Sequence, residues 1–211
     1  MMRRAEEGDI LDKQSFITAA EEVLDTARGL GQNVDMTLLD LEVTNEDKKR
    51  IGADGWNNLL SAINTFLLSK SVDGQTATQI SAGRYGIIHE KVVNTATLID
   101  QIKAITQGSD PDGKGLEITG KTIESDITSL SERDASRALV YTINEFERSG
   151  HDFTIASLND GFDTYMKANA QKIQDFQGFI ERLSFNLHLQ PIVDLTTLEP
   201  SHYEMLSRFE E

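Results

Sequence analysis

The sequence predicts an α+β fold, with a central sheet flanked by helices. Three observations carry this. Helical and strand-like periodicities alternate along the chain. The helices read at Phe16 to Leu30, Asp54 to Leu68 and Asp160 to Leu183 each carry an apolar side, as helices lying on a sheet do. Two strand-like runs close on a tight turn near the middle, within "TATQISAGRYGIIHEK", residues Thr76 to Lys91.

The elements follow in order. Phe16 to Leu30 spaces Phe16, Ala19, Ala20, Val23, Leu24 and Ala27 as a helix, stopped by Gly29 and Gly31. Val34 to Leu41 reads as a buried strand. Asp54 to Leu68 is a second helix, with Trp56, Leu59, Leu60, Ile63, Phe66 and Leu67 on its inner side. Ala77 to Ile80 and Tyr85 to His89 form a strand pair around Ser81-Ala82-Gly83-Arg84. Val92 to Ile105 is a third helix, and Gly108 to Gly115 is a strong breaker. Leu116 to Ile123 alternates like a strand. Ser131 to Arg148 is a helix with Ser131 as N-cap, Glu132 and Asp134 in its first turn, and Gly150 as its stop. Phe153 to Leu158 reads as one more strand. Asp160 to Leu183 is a long helix with Phe162, Tyr165, Met166, Ile173, Phe176, Phe179, Ile180 and Leu183 on its apolar side. A final strand covers Phe185 to Val193.

Composition narrows the function. The 211 residues are 38% hydrophobic, which suits a globular chain with a sizeable core. With no cysteine there is no disulfide framework, thiolate metal site or cysteine nucleophile, and a cytoplasmic setting fits. A net charge of -15 without a basic patch argues against nucleic acid. No apolar run approaches the ~20 residues of a membrane span. Met1 to Glu7 lacks a signal-peptide core and reads as the end of a longer helix. His89, His151, His188 and His202 are scattered without metal-ligand spacing, and Glu6-Glu7, Glu21-Glu22 and Glu210-Glu211 read as solvated faces.

Two stretches resemble a pair of families. "FNLHLQPIVDLTTLEPSHYEMLSRFEE" resembles the opening of an EAL domain, a cyclic di-GMP phosphodiesterase. Such domains begin with a strand ending Gln-Pro-Ile-Val, then a hairpin, then Glu-x-Leu-x-x-Arg or a close variant. Here these are Gln190-Pro191-Ile192-Val193 and Glu204-Met205-Leu206-Ser207-Arg208. EAL domains commonly follow GGDEF domains, which are diguanylate cyclases. On that resemblance the Gly-Gly-Asp-Glu-Phe turn falls on Ser81, Ala82, Gly83, Arg84 and Tyr85, and the metal-binding Asp of the first strand falls on Asp40. The guanine-contacting Asn falls on Lys48 and the guanine-contacting Asp on Asn57. Gly52, Leu59-Leu60, Phe16 and "ASRALVY" at Ala135 to Tyr141 also match, with Asp12-Lys13 where Asn-Arg is usual. The product-inhibition motif Arg-x-x-Asp would fall on Val72 and Gln75 and is missing.

The resemblance implies a GGDEF-type antiparallel sheet over residues 8–152, the end of an upstream helix at 1–7, a connector at 153–184, and the first strands of an EAL barrel at 185–211. It also implies a degenerate site. A cyclase holds divalent metal with hard oxygen ligands, normally two acidic side chains. Asp40 supplies one, but the acid of the third turn position is Gly83, and the fourth carries the reversed charge of Arg84. Both glycines that let phosphate approach the backbone are replaced by Ser81 and Ala82. Asp40 can equally be a polar strand end and Arg84 a solvated turn residue; alternatively, Arg84 and Lys48 hold a nucleotide phosphate without metal. In the EAL part, the resemblance assigns Glu204 to a catalytic metal (Mg or Mn) and Gln190 and Arg208 to cyclic di-GMP. That barrel needs about 250 residues, so this stretch alone has neither a complete site nor a cofactor. The expectation is a regulatory, catalytically inactive domain coupled to an EAL domain and forming a homodimer, with GTP and cyclic di-GMP as candidate ligands. An active phosphodiesterase parent and a dimerisation scaffold without nucleotide are the alternatives.

Overall fold

The computed structural model describes residues 10–125, 129–181 and 185–209. The upstream helix end read at 1–7 lies outside the described residues, as does Leu183. The elements run α1 (Lys13–Leu30), β1 (Val34–Glu42), α2 (Asn45–Ile51), α3 (Ala53–Lys70), β2 (Ala77–Ser81), β3 (Arg84–Glu90), α4 (Thr95–Ser109), β4 (Glu117–Glu124), α5 (Glu132–Ser149), a 3-10 turn (Gly150–Asp152), α6 (Leu158–Glu181), β5 (Phe185–Val193) and β6 (Pro200–Phe209). The chain divides into two compact units, Met1–Tyr165 and Met166–Glu211.

The first unit is an antiparallel sheet, ordered β2-β3-β1-β4, with helices on both faces. The alternation along β1 explains this. Met36 and Leu38 face a core built with Phe16, Ile17, Ala20 and Leu24 of α1 and Ala138, Leu139, Ile143 and Phe146 of α5. Leu39 and Leu41 face the other way, into a core with Leu59, Ile63 and Leu67 of α3 and Leu98 and Ile102 of α4. Because both faces are covered, β1 is buried from Val34 to Leu41, its polar Asp35, Thr37 and Asp40 included. Burying one such leucine fully stabilises the fold by about 1.5–3 kcal/mol. The α+β expectation with a flanked antiparallel sheet therefore holds.

Local chemistry sets the helix ends. Asp12 caps α1 by accepting from the Ser15 amide, and Gly31 closes it in the left-handed region. Ser131 caps α5 as expected, accepting from the Asp134 amide at 3.2 Å. Sequence spacing misses α2. It is seven residues long and polar, and is started by a capping box between Thr44 and Asp47. The strand expected over Phe153 to Leu158 does not form. Phe153 gives its amide to Gly150, and the segment makes only an isolated parallel bridge, Glu124 to Ser157, past the edge of β4. Its apolar residues, Phe153, Ile155 and Leu158, are spent on the core instead.

The second unit holds the later part of α6 and a hairpin of β5 and β6. The long helix ends within two residues of its expected span. The side chains of Ile173, Phe179 and Ile180 lie outside the described residues.

Candidate functional site

The site is assembled where β1 ends beside the β2–β3 turn. The two-residue turn Ala82-Gly83 joins Ser81 to Arg84, which pair across the hairpin. Gly83 sits at φ +80, and a Cβ there would lie 2.5 Å from the Leu41 carbonyl oxygen. The Leu41 amide donates to the Gly83 carbonyl at 2.8 Å, locking the turn against β1. An acidic side chain at this position would meet both a forbidding backbone angle and the strand beside it.

Asp40 and Arg84 are direct partners in the antiparallel ladder between β1 and β3. Arg84 donates through Nε to Asp40 Oδ2 at 3.3 Å, with side chains 27% and 12% exposed. Its Nη1 donates to the backbone carbonyl of Glu147, one of the last carbonyls of α5. Those carbonyls have no helical partner and carry the negative end of the helix dipole, so a guanidinium suits them. The Glu147 side chain meanwhile accepts from Lys13 of α1 at 2.5 Å. Gly150 follows at φ 52, ψ -117. A Cβ on it would lie 2.7 Å from Asp40 Oδ2 and would overlap the Arg84 guanidinium.

A cleft of about 480 Å³ opens beside this pair. Asp40, Lys48, Ala82, Gly83, Arg84 and Tyr85 line it, so these expected residues are brought together. Lys48 is exposed, its Nζ 5.7 Å from the ring centroid of Trp56. Ser81 lies at the end of β2 and does not line the cleft, nor does Asn57, which is exposed on α3. Tyr85 is fully buried, and burial pushes its hydroxyl up to about 12. Among the described residues that hydroxyl has no hydrogen-bond partner. Gly150, the Glu147 carbonyl, Glu42 and His151 join the site without a sequence signal. His151 Nδ1 is 3.8 Å from Glu42 Oε1.

The donor set does not fit a divalent metal. Asp40 faces an arginine, the adjacent turn position is a glycine, and no group of three metal-capable side chains occurs among the described residues.

In the second unit, the hairpin register sets Gln190 opposite Glu204 and Asn186 opposite Arg208. Directly paired residues share a face and alternate positions repeat it. Gln190, Glu204 and Arg208 therefore stand on one face with His188 and His202. Leu187, Leu189, Tyr203 and Met205 stand on the other, and are 57–64% exposed.

The sequence matches no protein-family model and no curated protein. Solved structures are similar in fold. A Vibrio cholerae LapD structure spanning S helix, GGDEF and EAL, bound to c-di-GMP, is 13% identical over 97% of this chain and 48% of that one, with a TM-score of 0.45. The GGDEF domain of DgcB from Caulobacter crescentus, in complex with c-di-GMP, is 10% identical over 75% of this chain and 96% of that one, with a TM-score of 0.47. The GGDEF domain of YfiN from Pseudomonas aeruginosa is 12% identical over 74% and 96%, with a TM-score of 0.46. This chain spans about half the length of the LapD structure. No helix among the described residues is long and apolar enough to cross a membrane.

Proposed function

We propose that this chain is a regulatory, catalytically inactive GGDEF-like domain of a cyclic di-GMP signalling protein, followed by the opening strands of an EAL domain. The observation that carries the reading is the Asp40–Arg84 pair. Diguanylate cyclisation needs divalent cation beside the triphosphate, held by acidic side chains. Here the remaining acid already faces a fixed positive charge, and the turn beside it has no second acid to offer.

The EAL part of the proposal is supported by the register of the hairpin. The residues that resemble the metal ligand and the two ligand contacts, Glu204, Gln190 and Arg208, stand on one face of one hairpin. In a parent protein that supplies the rest of the barrel, this face would belong to a phosphodiesterase or receptor site for cyclic di-GMP, with Mg or Mn at Glu204 in the catalytic case. The first unit would then control or support that domain.

The test is incubation of the chain with GTP and Mg²⁺ or Mn²⁺, followed by chromatography for cyclic di-GMP. No product above the protein-free blank is expected. Product formation that Asp40→Asn abolishes would overturn the reading.

A further inference from the structure

The geometry points to Arg84 as a resident cation: it replaces metal at Asp40 and clasps the turn to the C-terminal end of α5, through a gap that exists because residue 150 is glycine. Three independent features converge on this guanidinium. Asp40 accepts from Nε at 3.3 Å, the Glu147 carbonyl accepts from Nη1, and Gly150 leaves the space in which the guanidinium lies. A side chain at 150 would collide with both Arg84 and Asp40. The site is thus charge-balanced from within, and a divalent cation reaches Asp40 only by displacing Arg84.

The clasp has a consequence for the path of the chain. Two residues after Glu147, α5 ends and the backbone turns through Gly150–Asp152, where the Phe153 amide donates to the Gly150 carbonyl at 3.0 Å. That turn leads to α6. Arg84 therefore fixes the exit from α5 to the same point as β1 and the β2–β3 turn. Opening the clasp frees the exit, and closing it holds the exit still. Gly150 and Arg84 are positioning residues for that exit. The replacement of metal rests on the reading of Asp40 as a former metal ligand; the clasp rests on geometry alone.

The experiment compares the wild-type chain with Arg84→Ala, Arg84→Lys and Gly150→Ala by amide hydrogen exchange over residues 150–153 and by thermal unfolding with and without Mn²⁺. Arg84→Ala and Gly150→Ala should exchange the Phe153 amide about tenfold faster than wild type. Arg84→Lys, which keeps the charge but has no planar fork to span both acceptors, should fall between. Mn²⁺ should leave the melting temperature of wild type unchanged. Wild-type exchange rates in the alanine variants would overturn the clasp. Mn²⁺ stabilisation of wild type would overturn the replacement of metal and leave the clasp standing. If Arg84→Ala does not fold, Arg84→Lys alone decides, because an unchanged Phe153 rate in it contradicts the requirement for two acceptors. Cyclase activity reports on the proposed function alone, since none of these readouts depends on turnover.

Discussion

The Nε of Arg84 lies 3.3 Å from Oδ2 of Asp40, and the two residues are directly opposed between β3 and β1. The pair is mostly shielded from water, and the guanidinium also reaches the Glu147 carbonyl. A charge-assisted contact in such surroundings is worth more than an exposed ion pair, because screening by solvent is reduced and both acceptors are held by regular structure. Arg84 thus ties β1, β3 and α5 together.

A second arginine clasp predicts a pH dependence. Asp110 is buried and accepts from Arg50 Nε at 3.0 Å and from the amides of Asp112 and Gly115. Burial alone would raise its carboxyl, but the two amides and the guanidinium outweigh it and hold the group below its ordinary 3.8. A depressed carboxyl contributes stability that is present above its unfolded value and lost as pH falls through the folded one. Thermal unfolding should therefore show a loss below about pH 4 that Asp110→Asn makes shallower, the remainder coming from other depressed carboxyls such as Asp47 and Asp73. The variant should melt several degrees lower at neutral pH. An identical acid limb in the variant would contradict this.

His89 is buried and bound on both ring nitrogens. The Glu90 carbonyl, 2.8 Å from Nδ1, can only accept, so Nδ1 carries a hydrogen. In the neutral ring Nε2 accepts from Thr37 Oγ1 at 2.7 Å, and Thr37 in turn contacts Thr122 at 3.0 Å. Thr37→Val leaves Nε2 buried without its donor and should cost about 1–3 kcal/mol, read by urea denaturation. Thr37→Ser, which keeps the hydroxyl, should recover at least half of it. Equal losses in both variants would show that the methyl group rather than the hydrogen bond matters.

Tyr85 presents the opposite case. Its buried hydroxyl has no partner among the described residues, so removing it relieves a desolvated group. Tyr85→Phe should leave stability unchanged or raise it by up to about 1 kcal/mol. The hydroxyl is raised from 10.0 to about 12, so it adds no pH dependence below 10, and the fold loses stability as pH rises from 10 to 12 because the unfolded chain ionises first. Alkaline unfolding should be less steep in Tyr85→Phe. A destabilised variant would reveal a hydrogen bond to that oxygen.

Much of this arrangement is legible in the sequence, for physical reasons. The strand pattern of β1, the Ser131 cap and the Gly150 stop are local signals, and each describes what forms. The hairpin turn is equally local. The partners of Arg84 are not, because Asp40 and Glu147 lie 44 and 63 residues away in sequence and one of them offers only a backbone carbonyl. Gly150 shows as a helix stop but not as the space beside an ion pair. Helix α2 escapes because capping, rather than an apolar stripe, defines it. Phe153 to Leu158 misleads because its buried residues alternate as in a strand while its backbone makes almost no ladder.

A double-mutant cycle of Asp40→Asn and Arg84→Gln, followed by urea denaturation at neutral pH, measures what the ion pair contributes to the site. Each single variant should lose stability, and the double variant should lose less than their sum, with a coupling of about 1 kcal/mol. Strict additivity of the two losses would mean that the pair contributes nothing, and the self-neutralised site would have to be abandoned.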